Sequence, residues 1–293
     1  MLRQVQAGVL DVGYFDHGPA EGEAVVLLHG FPYDVHAYDN VVPRLVSQGF
    51  RVLTPYLRGY GPTRFLSGAT PRSGQQACLA QDVIAFMDAL QIPHAVLAGY
   101  DWGGRAACIV AALWPQRVRG LISACGYNIQ DIAAAAVPQE PEVELKLWYQ
   151  YYFHGERGRL GLQQHRSRFC HLLWQLWSPT WRFDESTYQR TAAAFDNPDF
   201  VEVVIHSYRH RYGLVQGDPA VEDIERRLIG QPTISVPTVV LHGDADGVIA
   251  ATVSEDHDQY FSGPYERQII AGAGHNLPQE TPREFASAVL SIA

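Results

Sequence analysis

Cysteine is scarce and scattered in this chain. Cys78, Cys108, Cys125 and Cys170 stand far apart with no C-x-x-C pair, which excludes a disulfide framework and a cysteine zinc site and leaves reduced, buried thiols as the expectation. Basic charge is also short. Lys and Arg number 22 against 31 Asp and Glu, a formal net charge of -9, which would repel a phosphate backbone and sets nucleic acid aside as a partner. The one arginine cluster, Arg157, Arg159, Arg166 and Arg168, reads as a solvated face. No apolar run approaches the roughly 18–20 residues of a membrane span. The opening MLRQVQAGVLDVGYF lacks a basic start followed by an apolar stretch, so a cytoplasmic protein is expected. Charged residues make up only 18% against 47% hydrophobic, and there is no long polar tract or internal repeat. Disordered, coiled-coil and collagen-like chains are thereby excluded.

What is present is alternation. Short β-branched runs recur between helix-like stretches, the pattern of a mostly parallel sheet covered by helices, an α/β fold. An antiparallel start is expected over residues 4–10 and 11–15, followed by strands over 24–29, 51–55, 94–98, 117–125, 238–242 and 266–271. Helices are expected over 37–48, 76–90, 104–114 and 282–292. Between 128 and 230 the character changes to helical and aromatic-rich, with Trp148, Trp174, Trp177 and Trp181 among the six tryptophans. The expected organisation is a core of residues 1–127 and 231–293 interrupted by a helical insertion of residues 128–230.

The segment Gly99-Tyr100-Asp101-Trp102-Gly103-Gly104 lies between an expected strand and an expected helix. Glycines two positions either side of Asp101 allow a sharp strand-to-helix turn that presents the central side chain, the nucleophile-elbow spacing. Taken alone, Asp101 could also be merely a helix N-cap, the less favoured reading. Two more motifs bear on it: His29-Gly30-Phe31-Pro32 ends the third strand, and Gly274-His275-Asn276 follows the last. Between them, Leu241-His242-Gly243-Asp244-Ala245-Asp246 offers two acids after the penultimate strand.

With these motifs and Arg58-Gly59-Tyr60-Gly61 in register, the chain resembles the α/β-hydrolase superfamily over essentially its whole length. That resemblance implies an eight-stranded, mostly parallel sheet with an inserted helical cap. It implies the order nucleophile Asp101, acid Asp246, then His275, with Asp244 left as a turn residue. The oxyanion hole would be the backbone N–H groups of Phe31 and Trp102. An Asp nucleophile narrows the resemblance to epoxide hydrolases and dehalogenases.

Tyr149-Gln150-Tyr151-Tyr152-Phe153 and Ser207-Tyr208-Arg209 resemble the two tyrosine motifs of the epoxide hydrolase cap, so Tyr149 and Tyr208 inherit the role of acids toward the epoxide oxygen. A departing alkoxide needs such a proton, whereas a halide needs only N–H donors. The resemblance further nominates Pro32, Trp148, Gln150 and Tyr152 as pocket residues. It implies no cofactor and no metal. The expected partners are a small apolar epoxide and water, with a homodimer considered as the assembly.

The rival enzymatic reading is a haloalkane or haloacetate dehalogenase using the same triad. Trp102 matches a halide-cradling position. Arg105 matches one of two arginines that fluoroacetate dehalogenases carry, but Trp102 occupies the place of the other. The reading favoured for Arg105 is a salt bridge in the first turn of its helix. A non-enzymatic ligand receptor on the same fold is a further reading. Tyr100 and Tyr56 depart from the epoxide hydrolase pattern, which bears on substrate fit. Glu202, His206 and His210, spaced four apart, would form a stripe facing away from Tyr208 rather than a metal site.

Overall fold

The computed structural model describes all 293 residues. Nine strands form one sheet: β1 (Leu2–Ala7), β2 (Leu10–His17), β3 (Ala24–Leu28), β4 (Arg51–Pro55), β5 (Arg64–Phe65), β6 (Ala95–Gly99), β7 (Val118–Ala124), β8 (Thr238–Gly243) and β9 (Tyr265–Ile270). Eight of them run in the order β1-β2-β4-β3-β6-β7-β8-β9. From β4 to β9 across that order every pairing is parallel, while β1–β2 and β2–β4 are antiparallel. The central strands β6 and β8 are buried at every position, as continuous apolar runs between two helical layers should be.

The helices are α1 (Val42–Val46), α2 (Gln76–Ala89), α3 (Asp101–Leu113), α4 (Pro141–Lys146), α5 (Trp148–His154), α6 (Glu156–Trp177), α7 (Glu185–Ala192), α8 (Phe200–Arg211), α9 (Glu222–Leu228), α10 (Leu277–Glu280) and α11 (Pro282–Ile292). Two pairs, α2 with α3 and α1 with α11, cover the sheet. All of α4 to α9 falls between β7 and β8. These helices do not form a detached body, because one apolar cluster of 77 buried residues runs from Val25 and Leu97 in the sheet to Phe153, Trp174 and Tyr208. No helix is long and apolar enough to cross a membrane, and all four cysteines are buried and free.

Three differences from the sequence reading have local causes. The first strand ends at Ala7 because Gly8 takes φ +58° and turns the chain into an Ala7–Leu10 hairpin. The helix expected over 37–48 is broken into a 3-10 turn at Val35–Tyr38 and the short α1. Pro43, which lacks an N–H, would clash with the Asp39 carbonyl in a continuous helix. The sheet has a ninth strand, β5, whose two residues pair with Leu10 and Asp11 of β2.

Candidate active site

Asp101 opens α3 directly after β6, and its backbone takes φ +50°. A non-glycine residue in that region carries about 1–3 kcal/mol of strain and persists only where its surroundings enforce it. Here the enforcement is backbone crowding. A Cβ on Gly103 would lie 2.0 Å from the Leu28 carbonyl oxygen, and one on Gly99 would lie 2.5 Å from the Gly103 carbonyl carbon. Only glycine lets α3 sit this close to β3 and β6.

The elbow aims Asp101 at the end of β3. Its Oδ1 accepts the Phe31 N–H at 2.7 Å, and Gly30 leaves the space for this, since a Cβ there would fall 2.5 Å from Oδ1. The Phe31 ring stacks on the buried Trp102 indole at 5.7 Å. On the other side, Asp101 Oδ2 stands 3.8 Å from His275 Nε2. His275 Nδ1 is 2.7 Å from Asp246 Oδ2. Asp246 Oδ1 in turn accepts the N–H groups of Val248 (2.8 Å) and Ile249 (2.9 Å), and the Cys125 thiol lies 3.5 Å from Oδ2. The other acid, Asp244, accepts the Gly272 N–H at 2.7 Å and clamps the turn after β9.

The charges in this chain are mutually supporting. Burial opposes ionisation of Asp246, yet His275 and the two amides outweigh it and hold the carboxyl below its ordinary value. Burial likewise opposes the Asp101 charge, but His275, Arg105 and the Phe31 N–H keep its pKa low. His275 is the converse case. Burial favours the neutral ring, while Asp246 and Asp101 raise its pKa well above 6.5.

A cavity of about 520 Å³ opens above these groups, walled by Asp101, His275, Trp177, Tyr149, Gln150 and Arg105, with the 134–139 loop, Arg211 and Tyr212 farther out. Gln150 Nε2 donates to the Tyr149 hydroxyl at 2.9 Å, and Gln150 Oε1 accepts from Arg211 (3.1 Å) and Tyr212 (3.1 Å). The Tyr149 oxygen therefore accepts from Gln150, and its own proton is available to a third group. Tyr208 packs edge-on against Tyr149 at 5.4 Å and beside Trp102 at 6.0 Å, with the Arg211 guanidinium 4.9 Å over its ring. Burial pushes both phenol pKa values up, and the Arg211 charge pulls both back.

Not every nominated residue reaches the cavity. Gln150 lines it, but Pro32, Trp148 and Tyr152 do not, and neither does the Tyr208 ring. The Pro32 carbonyl accepts the Trp174 indole N–H at 2.8 Å, while Trp148 and Tyr152 pack on Phe169 at 5.5 and 5.9 Å. These three face the interior of the helical segment. Arg105 forms no first-turn salt bridge, contrary to the sequence reading, because Asp101 is turned to Phe31 and His275. Glu202 pairs with Arg159 at 3.0 Å, whereas His206 takes the Gly74 N–H at 3.2 Å, so the His-Glu stripe does not converge. Tyr100, the elbow departure, is fully buried 5.1 Å from Tyr33.

Sequence reasoning missed Trp177. Its carbonyl accepts the N–H groups of both Gly247 (2.9 Å) and His275 (3.1 Å), and its ring meets the His275 imidazole edge-on at 5.2 Å. Ser178 Oγ accepts from His275 N (3.2 Å) and Asn276 N (3.3 Å). The only sequence signal was the concentration of tryptophan in this segment, since a backbone acceptor leaves no mark in composition.

Residues 23–281 match the alpha/beta hydrolase fold family. A Klebsiella pneumoniae protein whose crystal structure carries a provisional assignment as an epoxide hydrolase is 46% identical and superposes with a TM-score of 0.97, covering 99% of this chain and 96% of its own. Epoxide hydrolase A of Mycobacterium tuberculosis is 25% identical over 313 residues, spanning 94% of this chain and 91% of that protein. Mouse bifunctional epoxide hydrolase 2 is 36% identical over 104 residues, 35% of this chain and 18% of that larger protein.

Proposed function

The chain belongs to the α/β-hydrolase fold family, in its epoxide hydrolase branch, and from that premise we propose that it converts an epoxide to a vicinal diol through a covalent ester on Asp101. The observation that carries this reading is the unbroken contact chain Phe31 N–H, Asp101, His275, Asp246 beneath a cavity that also holds Tyr149. Residues 128–230 act as the cap that closes this cavity.

Asp101 Oδ2 attacks a ring carbon, the carbon–oxygen bond breaks, and the ring oxygen takes the phenolic proton of Tyr149, which Tyr208 backs edge-on. The Arg211–Gln150–Tyr149 relay supports the phenolate left behind. Ester formation removes one of the two negative charges that raise the His275 pKa, so the neutral imidazole, the form able to accept a proton, is favoured once the first step is complete. It then takes a proton from water as the hydroxide adds to the Asp101 ester carbonyl. The Phe31 and Trp102 amides hold the resulting oxyanion, worth roughly 3–4 kcal/mol per donor. Collapse breaks the ester bond, the diol oxygen takes the His275 proton, and the carboxylic acid of Asp101 returns its proton to the tyrosine.

In His275→Gln, alkylation should proceed and hydrolysis stop, leaving the mass of one substrate on the peptide containing Asp101. Normal turnover by that variant would overturn the mechanism. The carbon–halogen reading draws support from the Trp102 indole N–H, buried without a partner. Measuring halide release from haloalkanes and haloacetates beside diol release from epoxides decides between the two.

A further inference from the structure

A second carboxylate holds the loop that carries His275, and the proposed reaction makes no use of it. Glu280 closes the one-turn helix α10 and reaches back over its start. Its Oε2 accepts the Gly274 N–H at 2.7 Å, and its Oε1 accepts the Asn276 N–H at 2.9 Å, so the amides on either side of the base end on one side chain. Oε1 also takes the Ser178 hydroxyl proton at 2.6 Å. A serine hydroxyl has one proton and two lone pairs. With that proton committed to Glu280, the Ser178 oxygen faces the His275 N–H, 3.2 Å away, as an acceptor only. Three successive backbone N–H groups, those of residues 274, 275 and 276, are therefore fixed by Glu280, directly or through Ser178. The approach needs glycine, since a Cβ on Gly274 would lie 2.6 Å from Ser178 Cα.

All of these contacts are donors, which suits an ionised carboxylate, an acceptor at both oxygens. Burial pushes the Glu280 pKa up, and Ser178, the two amides and His275 pull it part of the way back. An acid that reaches back to the first N–H of a helix can serve merely as its cap. Here the hold extends past the helix, because Gly274 precedes it and the residue between the two held amides is the base. From this placement we propose that Glu280 is a positioning residue for His275, fixing its backbone so that Nδ1 stays on Asp246 at 2.7 Å while Nε2 faces Asp101 at 3.8 Å. This rests on the epoxide reading above and deepens it, because in that reaction His275 moves a proton only during ester hydrolysis. Loss of the Glu280 acceptors should slow the second step and spare the first.

The test separates the two steps by single-turnover quench on a panel of aryl and alkyl epoxides led by styrene oxide, following the adduct on Asp101 by mass and the diol by chromatography. Glu280→Leu removes every acceptor. Glu280→Gln keeps one oxygen but turns an NH2 group on the neighbouring donors, and Ser178→Ala removes only the branch to the His275 N–H, with circular dichroism verifying each fold. Ester hydrolysis should fall roughly 10- to 100-fold in Glu280→Leu, the range for displacing a reacting group by up to about 1 Å, and less in the other two, with alkylation unchanged and the adduct accumulating. If Glu280→Leu does not fold, the other two variants carry the same comparison. Both steps slowing equally, or neither, overturns the positioning role and leaves Glu280 a helix cap, with the epoxide reading standing. If the wild type forms neither adduct nor diol from any epoxide, that reading falls, and the His275 pKa, followed by imidazole NMR and assigned by its loss in His275→Gln, decides alone. A fall toward 6.5 in the Glu280 variants keeps the positioning role, because a looser loop weakens the Asp246 contact that raises it. An unchanged value overturns it.

Discussion

Replacing Gly30 by alanine would place a methyl carbon 2.4 Å from Asp101 Cβ and 2.5 Å from its Oδ1. Ordinary carbon contacts begin near 3.5 Å, so one side must yield by about 1 Å. Asp101 has little room to retreat, because its backbone is fixed by the approach of Gly103 to the Leu28 carbonyl. The Gly30–Phe31 segment must therefore move, and with it the 2.7 Å bond from Phe31 N–H to Asp101. A hydrogen bond to a charged group contributes about 1.5–3 kcal/mol, and misplacing a reacting group by about 1 Å costs on the order of 100-fold in rate. We expect kcat/KM for diol formation to fall about 100-fold. Overpacking should destabilise the fold by roughly 1–3 kcal/mol, visible as a modest drop in melting temperature. Adduct accumulation on Asp101 in the Gly30→Ala, His275→Gln double variant isolates the alkylation step. A folded Gly30→Ala protein with undiminished turnover would refute the argument that this amide positions the attacking oxygen.

Tyr149→Phe combined with Tyr208→Phe should slow epoxide opening by roughly 10²–10⁴-fold, the usual range for a general acid, and undiminished diol formation would remove the tyrosines from the mechanism. Stability should also depend on pH through the buried pair. His275 has a folded pKa above 6.5, so its contribution is complete below pH 6.5 and is lost as pH rises through the folded value. Asp246 has a folded pKa below 3.8, so its contribution holds above pH 3.8 and fades as pH falls through the folded value. Melting curves should show the wild type's advantage over His275→Gln shrinking as pH rises from 6.5. Parallel curves would mean that the pair adds nothing to stability.

Much of the core could be read from sequence because its determinants are local. The strand at Arg51–Pro55 and the helix at Pro282–Ile292 are bounded where their apolar patterns begin and end, and Gly99 and Gly103 announce the elbow through a close approach no other residue permits. β5 was not legible, because two residues carry no period and owe their conformation to pairing with β2. The cavity wall was harder still. Trp148, Tyr149, Gln150 and Tyr152 share one short helix, yet only Tyr149 and Gln150 of these line the cavity, a choice made by how α5 rests on α6 and α8. Arg105 was misread for a precise physical reason. An Asp and an Arg four apart meet on a regular helix, but the positive φ of Asp101 takes its side chain off that stripe.

The seat of Trp177 and Ser178 beneath both catalytic loops restricts how this molecule can breathe. If the C-terminal end of α6 swung outward, the Trp177 carbonyl would release Gly247 and His275 together, and the acid and the base would lose their common anchor. That end of the helix is the anchored one. On the proposed mechanism, substrate and diol are expected to pass on the side of the cavity lined by the 134–139 loop and Leu147. On that mechanism, enclosure and chemical competence are tied to the same two residues, and a chain with that anchor undone is expected to be open and inert at once.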